Sequence, residues 1–174
     1  MQRILLILLL FAASCKPYQD PEPISDDRIN NPYCNDPSAI NYNWGFPGLP
    51  DNSLCVYPTD VFTGNYTYFD TAYDAALNVL ATNSYNLQIS NVDTTRLLIN
   101  GFCSGITIKA TANRFLDFVI DSIHGNGQVF CDPLDTIIGG GQKSDFYDSL
   151  YILFNYQIES DTGLATHKGR AVKQ

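Results

Sequence analysis

Five cysteines, at positions 15, 34, 55, 103 and 131, are the most reactive side chains in this 174-residue chain. Thiolates attack carbon, bind metal or oxidise to disulfides. No CxxC-type spacing occurs, which argues against a zinc site. Four cysteines admit three pairings. The pairing Cys34–Cys55 with Cys103–Cys131 is favoured because each bond closes a local loop, worth ~3–4 kcal/mol in the chain-entropy account. The alternative leaves one pair reduced and buried. Other catalytic groups are sparse. His124 stands before the turn Gly125-Asn126-Gly127 and His167 in a basic tail, and both are read as surface residues. Asp117 and Asp121 are the carboxylates nearest to a hydrolase pair, although a polar strand face and a turn place them in solvent. The chain has no Gly-x-Ser-x-Gly elbow and no His-Glu-x-x-His helix. Gly139-Gly140-Gly141 is not followed by the Lys-Ser/Thr of a phosphate loop, since Lys143 comes after Gln142. No catalytic set and no cofactor are expected.

The fifth cysteine is explained by what precedes it. Arg3, the apolar run Ile4 to Ala13 and then Ser14-Cys15 have the layout of a secretory signal. The run is too short for a ~30 Å hydrocarbon core. Ala12-Ala13-Ser14-Cys15 resembles a bacterial lipoprotein processing box, with Ala12 where Leu is usual. The resemblance implies cleavage after residue 14 and acylation of Cys15. The implied anchor carries two or more chains, because one acyl chain holds weakly. It also implies an outer-membrane location, on the cell surface or in the periplasm. The four remaining cysteines then form an even set in an oxidising compartment.

The formal net charge is −8. Such an acidic chain has no footprint for nucleic acid. It is repelled by anionic lipid, so contact with the membrane falls to the anchor. Residues 15–33 read as a tether, broken by Pro17, Pro21 and Pro23 and hydrated by Asp20, Glu22, Asp26 and Asp27. Residues 34–58 contain Cys34, Asp36-Pro37, Ala39, Asn41-Tyr42-Asn43, Asp51, Ser53 and Cys55. This stretch resembles a small disulfide-stapled module of Bacteroidetes surface proteins, with Asn52 in place of a usual Gly and Leu54 inserted. Asp36, Asn41, Asn43 and Asp51 offer oxygens for Ca²⁺ or, alternatively, caps for local turns. Trp44 and Phe46 are ligand-contact candidates, or else pack the module onto the main domain.

Residues 59–174 alternate in polarity. Phe62 to Phe69, Ser84 to Val92, Leu97 to Ile99, Ile106 to Ala112, Arg114 to Ile120, Val129 to Cys131 and Phe146 to Ile158 read as strands. Asp70 to Asn83 is either a short helix or a loop into another strand. Gly139 to Gly141 is expected to be a mobile loop, and Leu164 to Val172 a final strand suited to an edge by its charges. The fold class is all-β: an antiparallel β-sandwich or small β-barrel. Phe62-Thr63-Gly64-Asn65-Tyr66-Thr67 and the strand Tyr151 to Ile158 with its basic tail resemble small β-domains of Bacteroidetes lipoproteins, some lipocalin-like.

Eleven Tyr and ten Phe either pack across strands or line a groove, with Tyr147 and Tyr151 as further ligand-contact candidates. Five triplets resemble a Bacteroidetes O-glycosylation pattern: Asp70-Thr71-Ala72, Asp93-Thr94-Thr95, Asp121-Ser122-Ile123, Asp135-Thr136-Ile137 and Asp148-Ser149-Leu150. The function expected from these readings is a membrane-anchored lipoprotein binding a glycan, a protein or a small apolar ligand. A structural or adhesive accessory is the alternative, and a carboxylate-based hydrolase comes third.

Overall fold

The structure is a computed structural model, and it describes residues 20, 26–122, 126–143 and 151–174. The first described segment is held by short-range bonds. Strands β1 (Pro32–Tyr33) and β2 (Leu49–Pro50) form a parallel pair. The Cys34–Cys55 disulfide closes the loop around β2. Helix α1 (Pro58–Phe62) follows. Pro58 supplies the fixed φ of a first helical turn, and the Tyr57 amide donates to Asp60 Oδ2 at 2.9 Å.

A closed antiparallel barrel makes up the body. Its strands are β3 (Gly64–Tyr73), β4 (Val79–Asn91), β5 (Arg96–Asn100), β6 (Thr107–Ala112), β7 (Asp117–Ile120), β9 (Asp132–Gln142), β10 (Tyr151–Ser160) and β11 (Gly163–Lys173). Each pairs with the next, and β11 returns to β3. Of the two closures open to the sequence, the chain therefore takes the barrel. The short β8 (Gln128–Phe130) lies along β9 beyond β7, on the same edge. There the Gln128 side chain stands in for a rung: its Oε1 accepts from the Lys109 amide at 2.9 Å, and its Nε2 donates to the Lys109 carbonyl. One primary amide thus joins β8 to β6 where the backbones do not meet.

The alternation in the sequence maps onto this ring. Tyr66 and Tyr68, Leu87 and Ile89, Leu97 and Ile99, Ile108 and Ala110, Phe118 and Ile120, and Ile152, Phe154 and Tyr156 all point inward and are buried. Phe62 of α1 closes one end, its ring edge-on to Phe118 at 5.2 Å. The Tyr66 hydroxyl donates to the Phe62 carbonyl at 2.8 Å, which ties β3 to that helix.

Several segments differ from the sequence reading. Val61 and Phe62 are helical, and the strand starts at Gly64. The ambiguous stretch 70–83 is a hairpin whose turn is tied by Asp74 Oδ1, accepting from the Ala76 and Asn78 amides. Arg114 to Leu116 form a turn rather than a strand; Asn113 Oδ1 accepts from the Phe115 amide and Leu116 takes φ 65°. Gly139 to Gly141 are not a loop but part of the end of β9: all three pair with β10, and Gly140 and Gly141 also with β7. Glycine is required there for space. A Cβ on Gly140 would lie 2.0 Å from the Phe118 carbonyl oxygen, and one on Gly141 would lie 2.6 Å from the Phe118 ring. Strand β11 is no edge either, because closure pairs it with β10 and β3.

Candidate functional site

The barrel interior is filled by the chain's own rings. Phe102, on the loop after β5, packs beside Tyr85 of β4. Its ring lies 5.7 Å from Tyr68, 5.6 Å from Tyr85, 5.7 Å from Phe130 and 5.7 Å from Tyr156. The adjacent Cys103 is bonded to Cys131, in the turn between β8 and β9. The bridge holds the loop against the β8–β9 hairpin and Phe102 within the aromatic cluster. Such rings bury large apolar areas and prefer the edge-on contacts seen here.

Four polar groups lie within that apolar packing. Asp70 is fully buried; its Oδ1 accepts from the Tyr68 hydroxyl at 2.8 Å and its Oδ2 pairs with His167 Nδ1 at 2.7 Å. The His167 ring stacks on Tyr156 at 4.8 Å between centroids. His167 is therefore not a surface residue of a tail. It sits at an inward position of β11, opposite Ala72, where Asp70 can reach it from two pairs further along β3. Burial first, then the neighbouring Tyr156 and Asp70, hold the Tyr68 hydroxyl far above its ordinary range. Burial and Asp70 do the same to Tyr156. Both phenols thus remain neutral hydrogen-bonding groups at physiological pH. An Asp–His pair of this kind orients an imidazole, as in acid–base sites. Here, however, rings cover it, and neither recess of the outer wall touches it. Among the described residues no buried side-chain polar atom is left without a hydrogen bond, and this pair contributes to that.

The residues singled out from sequence fall in separate places. Cys34 is bonded to Cys55 and Cys103 to Cys131. Cys15, His124 and Tyr147 lie outside the described residues. Trp44 is 54% and Phe46 63% exposed, so neither is packed under the barrel; the Phe46 ring meets Tyr33 edge-on at 5.8 Å. The oxygens considered for Ca²⁺ are turned to separate local bonds. Asp36 accepts from the Ser38 hydroxyl and amide and from the Tyr57 hydroxyl. These donors lower its carboxyl pKa, the Ser38 hydroxyl most. Asn41 bridges the Leu54 carbonyl and the Val56 amide, and Asp51 caps Ser53. Asn43 takes φ 60° in its turn. No group of three or more His, Cys, Asp or Glu able to hold a metal occurs among the described residues. Asp117 is held by Asn113, and Asp121 by the Thr111 hydroxyl at 2.6 Å. Of the five triplets, 148–150 and residue 123 lie outside the described residues. Asp70 is buried in the interior cluster, and Asp93 caps its turn by accepting from the Thr95 and Arg96 amides.

The accessible concavity lies on the outer wall, which the sequence reading missed. A groove of about 800 Å³ crosses β3, β11, β10, β9 and β7. Two cross-strand rows build it. One runs Phe69, Arg170, Leu153, Gln142, Asp117; the other runs Thr71, Lys168, Asn155, Gly140, Val119. Gly140 leaves the second row without a side chain between Asn155 and Val119, and the clash with Phe118 described above forbids adding one. Phe69 is 55% exposed along this wall. The Arg170 guanidinium lies 4.1 Å above the centre of the Tyr151 ring, so Tyr151 meets the groove as a support for arginine. A smaller recess of about 480 Å³, with Glu159 and Asp161 in its lining, has the opposite charge. Of the residues the sequence reading had singled out as ligand contacts, none lines the groove itself and only Tyr151 adjoins it, through Arg170; Asp117, considered there for hydrolysis, does line it. The outward positions were visible in the alternation, but nothing local says which of them share a rung.

Comparison with known proteins gives no relative: no family model, no curated protein and no solved structure matches the chain.

Proposed function

We propose that this is a lipid-anchored, non-catalytic binding protein of the bacterial outer membrane, acylated at Cys15. Its barrel engages a glycan or protein of the cell surface through the outer wall. The observation that carries the reading is the combination of an interior filled by Phe102 and its neighbours with a groove on the outside. A carrier of small apolar ligands needs an internal cavity, whereas a binder of surface components needs an accessible wall. The two disulfides suit an oxidising compartment, in keeping with the signal-like first fourteen residues. The exposed Trp44 and Phe46 favour a second reading, an adhesive accessory that makes contact through its N-terminal module.

Each half of the proposal has its own test, the first in cells and the second with purified protein. Cys15→Ser is expected to abolish incorporation of a fatty-acid analogue; equal label in the variant refutes the anchor. Purified protein freed of the acyl group by Cys15→Ser is expected to sediment with cell envelopes and to lose that sedimentation when Phe69→Asp is added, the circular dichroism spectrum being unchanged. Retained sedimentation by Phe69→Asp, with loss by Trp44→Ala, moves the contact to the N-terminal module.

A further inference from the structure

We infer that the outer-wall groove selects carboxylate-bearing polysaccharide, with Arg170 and Lys168 as the residues that read the charge. The inference rests on the groove being the binding surface, as proposed above, and adds the class of ligand. The first observation is electrostatic. The chain carries a net charge of −8, yet Lys168 and Arg170 stand in adjacent rows of one groove. Neither is ion-paired with a carboxylate among the described residues. The groove's carboxylate, Asp117, sits three strands from Arg170 at the far end of its row, where Asn113 holds it. Two cations without a carboxylate partner among the described residues of an acidic protein complement an anion brought from outside.

The second observation is geometric. Tyr151 supports the flat face of the Arg170 guanidinium. A guanidinium stacked in this way keeps its N–H edge available, and that edge matches a carboxylate bidentately. Phe69, beside Arg170 in the same row, offers an apolar face, and Asn155 beside Lys168 offers an amide. An acidic sugar unit presents the same set of features: a carboxylate, hydroxyls and an apolar ring face. With neighbouring strands ~4.8 Å apart, the five strands span roughly 19 Å, long enough for an oligosaccharide.

The third observation separates a glycan from an acidic peptide. Extended peptides commonly add to an unpaired strand edge. Every strand of this groove is paired on both sides, so a ligand meets side chains alone.

The test uses the full-length protein in detergent micelles, titrated with oligogalacturonate, oligomannuronate and heparin oligosaccharides, the methyl ester of each uronate, and polyglutamate. The expected result is binding of at least one acidic oligosaccharide, weakened by added salt. Affinity should fall about tenfold or more on esterification, and likewise in Arg170→Ala. Arg170→Lys, which retains the charge without the fork, should fall between. Melting temperatures of both variants serve as the folding control, and Lys168→Ala provides an independent variant away from Tyr151. Equal binding of acid and ester overturns the inference, as does wild-type affinity in both Arg170→Ala and Lys168→Ala. Binding of polyglutamate alone, or of no probe, overturns it too. The broader reading fails separately: loss of neutral-ester binding in Phe69→Asp keeps the groove and removes only its charge selectivity, whereas envelope sedimentation unaffected by every groove variant removes both.

Discussion

Asp70 shows how much one residue can organise inside an apolar wall. A carboxylate removed from water must find partners or destabilise the fold. Asp70 finds two, the Tyr68 hydroxyl and His167 Nδ1, contributed by its own strand and by β11. Asp70→Ala leaves a buried phenol and an imidazole without their acceptor and opens a small void. The expected loss is about 3 kcal/mol, read from urea unfolding. Asp70→Asn retains an acceptor oxygen and should lose less. A loss below about 1 kcal/mol in Asp70→Ala would mean that water replaces the carboxylate, and that the cluster is more open than the packing around it indicates.

Among the elements, the loop after β5 has the largest consequence for function. Strand β5 pairs with β4 only over residues 88 to 91 of the latter. The loop lies against β4 at residues 85 to 87, where Phe102 meets Tyr85 and Gly101 approaches the Asn86 carbonyl, and Cys103–Cys131 pins the loop in place. The bridge and the ring should therefore be coupled. Cys103→Ala is expected to lower the melting temperature under oxidising conditions and to have little effect under reducing ones, since the parent then lacks the bond too. An equal loss in both conditions would assign the effect to side-chain packing. Phe102→Ala should destabilise by roughly 3 kcal/mol, and the combined variant by less than the sum, because both act on the same loop.

For the whole molecule, the interior is a set of tyrosines kept neutral by burial. Burial pushes Tyr66 up to about 12. Tyr68 and Tyr156 are raised further, burial again the main cause. Unfolded tyrosine ionises near pH ~10. A folded state that holds these protons more tightly keeps its full stability below that pH and loses it as pH rises above it. Alkaline unfolding should thus be cooperative, with late tyrosinate absorbance appearing together with loss of the circular dichroism signal. A smooth titration of all eleven tyrosines near pH ~10, with the fold intact, would contradict a filled interior.

Local chemistry determined a good deal of this protein before any tertiary contact. Alternation assigned Tyr85, Leu87 and Ile89, then Ile108 and Ala110, then Ile152, Phe154 and Tyr156 to inward faces, because side-chain direction reverses at every residue of a strand. Loop length favoured the two disulfides, which form as expected. Where local reasoning failed, the deciding partner was distant in the chain. Gly139 to Gly141 look like a loop until β10 pairs with all three and β7 with the last two, and Tyr156 and Phe118 take the space their side chains would need. His167 looks like part of a solvated tail until closure brings β11 beside β3 and Asp70. The choice of barrel over sandwich, and the groove that Phe69, Lys168, Arg170 and Leu153 form together, depend on register across five strands. Register is a relation between residues as far apart as Phe69 and Arg170, so only the closed sheet decides it.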